Sequence, residues 1–198
     1  MAQRTAWAPS AFDAVAVHES LRALGGHQIR GVRYIDLDYG TARPYWDEGE
    51  RDLVAFGVEL DLDDGSTRSV VWEQRDANQG LGVRAEALIP AHVTSGSTWD
   101  VSRRWRRKGP ARISSVQSWW WKNDTTRHGA GEPVTTSFEL HGLALRDGAE
   151  EALIMLHGVD DVTVYLNPGR SLRARVLSPE LVPLGGPDAA AGEALPTG

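Results

Sequence analysis

Cysteine is absent from all 198 residues. Disulfides, thiolate nucleophiles and Cys-ligated zinc are therefore excluded. Lysine is nearly absent as well: of 21 basic residues only Lys108 and Lys122 are lysine. That arginine bias, with abundant Ala and Gly, points to a GC-rich bacterial gene. No apolar run approaches the roughly 20 residues that cross a bilayer. The segment Met1 to Ser10 lacks the apolar core of a signal peptide, so a cytoplasmic location is expected. Positive charge is in deficit, with a net charge of -6. No overall field would then gather phosphates, which argues against nucleic acid as a partner.

Chemical motifs are missing too. There is no G-x-S-x-G, no phosphate-binding P-loop and no G-x-G-x-x-G; Gly80-Leu81-Gly82 lacks the helix that a dinucleotide site needs. The six histidines show no H-x-x-x-H spacing. Asp61, Asp63 and Asp64 superficially suggest a calcium loop. Placing Gly65 at position six, however, puts Leu60 and Leu62 on ligand positions one and three. The expectation is no metal, no cofactor and no catalytic residue, so the chain reads as non-enzymatic.

What is present is a repeat. Val15 to Asp76 reads as a helical run, a glycine stop, a strand and a hairpin, and Trp99 to Asp160 repeats that order about 84 residues later. Gly25 matches Gly109, Ile29 matches Ile113 and Val32 matches Val116. Asp64-Gly65 matches Asp147-Gly148 at an offset of 83. With 41% hydrophobic residues and eight Trp, the chain can bury a sizeable core. The predicted fold is mainly β with short helices. Two tandem, sequence-related, strand-rich halves (15–90 and 99–178) pack as one sandwich-like unit with pseudo-twofold symmetry, joined by a connector at 92–98.

Periodicity predicts a helix over Phe12 to Leu24 and a strand over His27 to Leu37, followed by a loop from Asp38 to Arg51. Leu53 to Leu62 and Ser66 to Gln74 form the clearest hairpin. A three-residue loop, Asp63-Asp64-Gly65, sets Phe56 opposite Trp72 and Val58 opposite Val70. Leu81 to Ile89 reads as a further strand. In the second half a helix is expected over Trp99 to Lys108, then strands over Ala111 to Trp121, Thr135 to Leu145 and Ala149 to His157. Val162 to Leu166 and Leu172 to Leu177 read as extra strands, and 183–198 as a disordered tail.

Three features carry the functional reading. Trp119, Trp120 and Trp121 stand at the places of Ile35, Asp36 and Leu37. Trp119 and Trp121 then replace core residues, and Trp120 projects from a polar face as a contact residue. Arg103, Arg104, Arg106, Arg107 and Lys108 make a basic patch around one core anchor, Trp105; its bland alternative is a solvated helix face. Asp36 to Asp64 holds ten acids and two bases, interleaved with Tyr34, Tyr39, Tyr45 and Trp46. From these the predicted contact surface is Tyr34, Asp36, Asp38, Tyr45, Trp46, Glu48 and Trp120. His141 takes the place of Val58, which predicts a buried structural histidine opposite Leu153.

The function expected is a protein-binding module, an acidic, immunity- or inhibitor-like partner that masks a basic protein. The opposed charges could also join copies as a homo-oligomer weakened by salt. The alternative is a small-ligand protein, for a sugar or planar metabolite, or an enzyme, with an aromatic cleft between the halves.

Overall fold

The computed structural model describes residues 6–37, 46–47, 49–75, 78–88, 96–125, 135–157 and 161–185. The first half contributes β1 (Trp7–Ala8), α1 (Ala11–Arg22), β2 (Ile29–Leu37), β3 (Trp46–Asp47), β4 (Asp52–Val54), β5 (Gly57–Leu62), β6 (Thr67–Arg75) and β7 (Asn78–Arg84). Then come β8 (Gly96–Asp100), α2 (Ser102–Lys108), β9 (Ser115–Thr125), β10 (Thr135–Asp147), β11 (Glu150–His157), β12 (Asp161–Leu166), α3 (Arg170–Val176) and β13 (Leu181–Leu184). No helix among the described residues is long and apolar enough to cross a membrane.

The strands make two sheets. One has eight strands in the order β13-β9-β10-β11-β12-β4-β3, with β1 added on β10. The other has five, in the order β7-β6-β5-β2-β8. Every neighbouring pair is antiparallel. Each sheet thus contains four adjacent antiparallel strands, β2-β5-β6-β7, with β3 and β4 intervening in the chain, or the uninterrupted meander β9-β10-β11-β12. The short β4 leaves the first half's sheet and pairs with β12 in the other sheet.

Local sequence explains the elements. The Ser10 hydroxyl caps α1 by accepting the Asp13 amide at 3.2 Å. Ala14, Val17, His18 and Leu21 then fall on one buried helix face. The predicted β5–β6 register holds: Val58 pairs with Val70, and the Trp72 amide donates to the Phe56 carbonyl at 3.1 Å. Between the sheets lies the main core. Val32, Tyr34, Val58 and Leu60 face Trp120, Leu140, Leu143 and Ile154, with Leu21 and Trp105 of the helices packed in. A second cluster on the outer face of the large sheet holds Trp119, Leu153 and Tyr165, covered by Leu172, Val176 and Leu177. A third, on the outer face of the small sheet, joins Ile35, Phe56, Val71 and Leu88.

Several expectations are corrected. The second hairpin pairs Asp147 with Glu150 and Ala144 with Leu153, closing on the two residues Gly148 and Ala149. Gly148 adopts φ 59°, which a two-residue turn requires and glycine takes at little cost. His141 is not a core residue: the β9–β10 register shifts between Leu140 and Gly142, and the histidine occupies that irregularity. Its ring stacks on Trp121 at 5.8 Å, on the outer face. Leu172 to Leu177 is not a strand but falls in α3 and its C-cap, because Leu172, Val176 and Leu177 (spacing i, i+4, i+5) seat one helical face on the outer cluster. Trp99 belongs to β8, so the second helix starts only at Ser102, and β8 overlaps the expected connector. Pro183 lies in β13 and pairs with Trp119, on an edge strand where a missing amide is tolerated. Residues 186–198 lie outside the described residues, as do 38–45, 48 and 89–95.

Candidate functional site

Two helix–strand junctions hold the polar interior. In each, a helix of one half lies against the first of the four adjacent strands of the other.

At the first junction α1 lies on β9. Trp120 is fully buried, and its indole N–H donates to Ser118 Oγ at 2.9 Å. Ser118 Oγ also lies 2.9 Å from His18 Nδ1. A hydroxyl has one proton and two lone pairs. One lone pair receives the indole. Buried Ser118 has no other acceptor for its proton among these contacts, so the hydroxyl donates to His18 Nδ1. The imidazole proton then sits on Nε2. Burial holds the His18 pKa below its usual value, with Glu19 raising it and Arg22 lowering it less strongly. The ring is therefore neutral at pH 7, with Nε2–H as its free donor.

Nε2 borders a cleft of about 470 Å³ between α1, the start of β9 and the end of β13. Val15, Val116 and Leu184 form apolar walls, and Glu19 and Arg22 stand at the mouth, paired at 3.0 Å and largely exposed. Gly185 closes one side with φ 72°, and a Cβ there would come within 2.5 Å of His18 Nε2. Glycine is thus needed twice, for its backbone conformation and for the space beside the ring.

At the second junction α2 lies on β2. The buried Tyr34 hydroxyl accepts the Trp105 indole N–H at 3.0 Å and donates to Asp52 Oδ2 at 2.9 Å. Asp52, also buried, receives Arg104 at both carboxylate oxygens, Nε to Oδ2 at 2.9 Å and Nη2 to Oδ1 at 2.6 Å. Burial, and next the Asp52 charge, push the Tyr34 hydroxyl well above its ordinary pKa. The cleft beside this helix holds only about 10 Å³. Five of its lining residues, Ser102, Arg106, Arg30, Gly31 and Val32, lie 84 positions from His18, Arg22, Ser114, Ser115 and Val116 of the large cleft. Where His18 leaves a donor free, Ser102 Oγ accepts the Val32 amide at 3.0 Å and donates to Asp100 Oδ1 at 2.5 Å.

The expected contact surface is not assembled as such. Trp120 and Tyr34 are each 0% exposed, so neither can meet a partner at an outer face. The face assignment of the tryptophans was inverted: Trp120 points into the main core, while Trp119 and Trp121 face outward under α3 and β10. The reason is a register shift between Ile29 and Gly31, which moves the inward parity of β2 to Val32 and Tyr34. Asp36 is half-buried, and burial raises its pKa against the opposing hydrogen bond from the Ala55 amide at 2.9 Å. Trp46 lies in β3, and Asp38, Tyr45 and Glu48 lie outside the described residues. Other acids of that stretch act internally. Arg33 binds Glu59 and Asp61, which lowers the Asp61 pKa.

The basic patch divides. Arg104 turns inward to Asp52, whereas Arg103, Arg106, Arg107 and Lys108 are exposed. Sequence reasoning missed His18, Ser118, Arg22 and Gly185. The signal that could have found them is the 84-residue offset, at which Ser118 corresponds to Tyr34 and His18 to Ser102, two pairs of unlike residues. Among the described residues, no three His, Asp or Glu side chains are grouped to hold a metal ion. Comparison with protein-family models, curated proteins and solved structures finds no match to this chain.

Proposed function

We propose that this chain is a non-enzymatic protein-binding module built from two related, pseudo-twofold halves, with its docking face on α1. The observation that carries the binding role is the exposed apolar pair on that helix. Phe12 is 80% and Val15 41% exposed, one helical turn apart, whereas Ala14, Val17 and Leu21 of α1 are turned into the core. An aromatic residue held in water costs solubility and is characteristic of a contact hot spot. The net charge of -6 favours a basic partner.

The duplicated construction is supported by reciprocal contacts. Gln28 bridges Arg112, the Ile29 amide donates to Ala111 and the Ile113 amide donates to His27, both at 2.9 Å. Shifting each residue by 84 turns one bond into the other, as a twofold axis through that bridge requires.

The test is cross-linked capture from host cells with wild type and Phe12→Asp, followed by reconstitution from purified components. A reconstituted complex with a basic protein, weakened at least tenfold by Phe12→Asp while folding is unchanged, supports the reading. A complex insensitive to Phe12→Asp and Val15→Asp contradicts it.

A second reading, a small-ligand protein with a cleft between the halves, rests on a specific observation. The 470 Å³ cleft lies between α1 of the first half, β9 of the second and the following strand β13. Its walls are aliphatic rather than aromatic, which moves the expected ligand away from sugars and planar rings.

A further inference from the structure

We propose that the α1 cleft binds a monocarboxylate with an apolar body, its carboxylate oxygen accepting the His18 Nε2–H. The inference rests on the small-ligand reading and names that ligand's chemistry. It does not depend on the Phe12 docking face.

Three observations converge on the cleft. First, His18 is only 4% exposed, and its one hydrogen bond among the described residues is to Ser118 at Nδ1. The Trp120–Ser118 relay fixes the remaining proton on Nε2, at the cleft, without an acceptor among the described residues. Nε2 opens onto the cleft, where water serves it when no ligand is bound, and a carboxylate oxygen would replace that water with a charge-assisted hydrogen bond. Second, Gly185 keeps the space beside Nε2 clear, since any side chain there would strike the ring. Third, the cleft 84 residues away is closed to about 10 Å³, and its Ser102 is already bonded to the strand backbone and Asp100. Only the α1 junction combines an open volume with a free donor.

The ligand class follows from the lining. A donor wants an oxygen acceptor. Arg22, one turn beyond His18 on α1, adds positive charge at the mouth. Its exposed pair with Glu19 contributes little and is easily exchanged for a ligand carboxylate. Glu19 disfavours a second anionic group, so a monoanion is selected over a dianion. Val15, Val116 and Leu184 take the hydrocarbon body. Two sources share this chemistry: a free aliphatic acid, and the C-terminal carboxylate of a peptide ending in an apolar residue.

The experiment is NMR titration of the whole chain, following the His18 ring nitrogens and the Val15, Val116 and Leu184 methyls. The probes are hexanoate, adipate, hexanol, an acetylated peptide ending in a free leucine carboxylate, and its C-terminal amide. Saturable shifts are expected for hexanoate and the free-acid peptide, at least tenfold weaker for adipate, hexanol and the amide. Tighter binding of the peptide acid than of hexanoate assigns the peptide source, and the reverse order the free acid. His18→Phe keeps the ring volume without the donor, and Gly185→Ala places a methyl against Nε2 from the residue that follows β13. Each is expected to weaken hexanoate at least tenfold while the far-sheet spectrum is unchanged. Equal shifts from hexanol or the amide overturn the carboxylate and leave the cleft reading standing. No methyl shift with any probe overturns both.

Discussion

The two helix–strand junctions solve the same problem differently. Each must bury polar groups where a helix crosses a strand of the other half. At α2 the solution is a charge pair, Arg104 on Asp52, tied through Tyr34 to Trp105. At α1 it is a neutral relay from Trp120 through Ser118 to His18. The charged junction is closed; the neutral one stands beside an open cleft with a donor left free. Breaking a buried ion pair strands an uncompensated charge, whereas a neutral relay can change partners at modest cost. The α2 junction is therefore suited to holding the halves together, and the α1 junction to accepting a ligand.

Mutations can break this contrast. The largest effect is expected for Trp120→Ala, which empties a fully buried indole site and removes the donor to Ser118. A loss of about 3–5 kcal/mol in urea unfolding is anticipated. Asp52→Ala attacks the other junction and leaves Arg104 and the Tyr34 hydroxyl without their carboxylate. A comparable loss of roughly 3–5 kcal/mol is expected. Tyr34→Phe should cost about 1–3 kcal/mol, because the buried Trp105 N–H loses its acceptor. Ser118→Ala is the matched change at α1. If it proves as damaging as Asp52→Ala, the neutral relay is not the more adaptable one.

Acid sharpens the comparison further. His18 has a folded pKa below its unfolded value of 6.5, so below about pH 6.5 the unfolded chain binds the proton more readily than the folded one. Stability should then fall as pH drops through 6.5 toward the folded pKa, and His18→Phe should flatten that slope. A wild-type curve indistinguishable from the variant between pH 7 and pH 5 would remove the neutral, buried histidine. The smallest effect is expected at the surface: Arg106→Ala, on the exposed face of α2, should change stability by less than about 0.5 kcal/mol.

Much of the fold was legible in the sequence. The alternation Val58, Leu60, Leu62 marked the core-facing side of β5, although Phe56 falls in the outer cluster and Gly57 and Glu59 are buried too. The β5–β6 register followed from a three-residue loop. The junctions were less legible because they depend on face assignment. One register shift at Ile29 to Gly31 inverts the inward parity of β2, and the same inversion carries Trp120 from surface to core. A period-two pattern cannot reveal such a shift, since it shows alternation but not which face is inside. The α3 segment misled for a related reason. Leu172-Arg173-Ala174-Arg175-Val176 alternates like a strand, and only tertiary packing over Trp119 makes it helical. Two acids of the Asp36 to Asp64 stretch are held by arginines distant in sequence, Asp52 by Arg104 and Asp61 by Arg33. Long-range pairing of this kind leaves no local mark.

The measurement that bears most directly on the difference between the junctions is a long-range ¹H–¹⁵N spectrum of the histidine rings in the wild-type chain at neutral pH. The expected result is that His18 carries its proton on Nε2, with Nδ1 unprotonated and shifted as an acceptor from Ser118. A His18 proton on Nδ1, or a doubly protonated ring, would contradict the relay and leave the α1 cleft without its free donor.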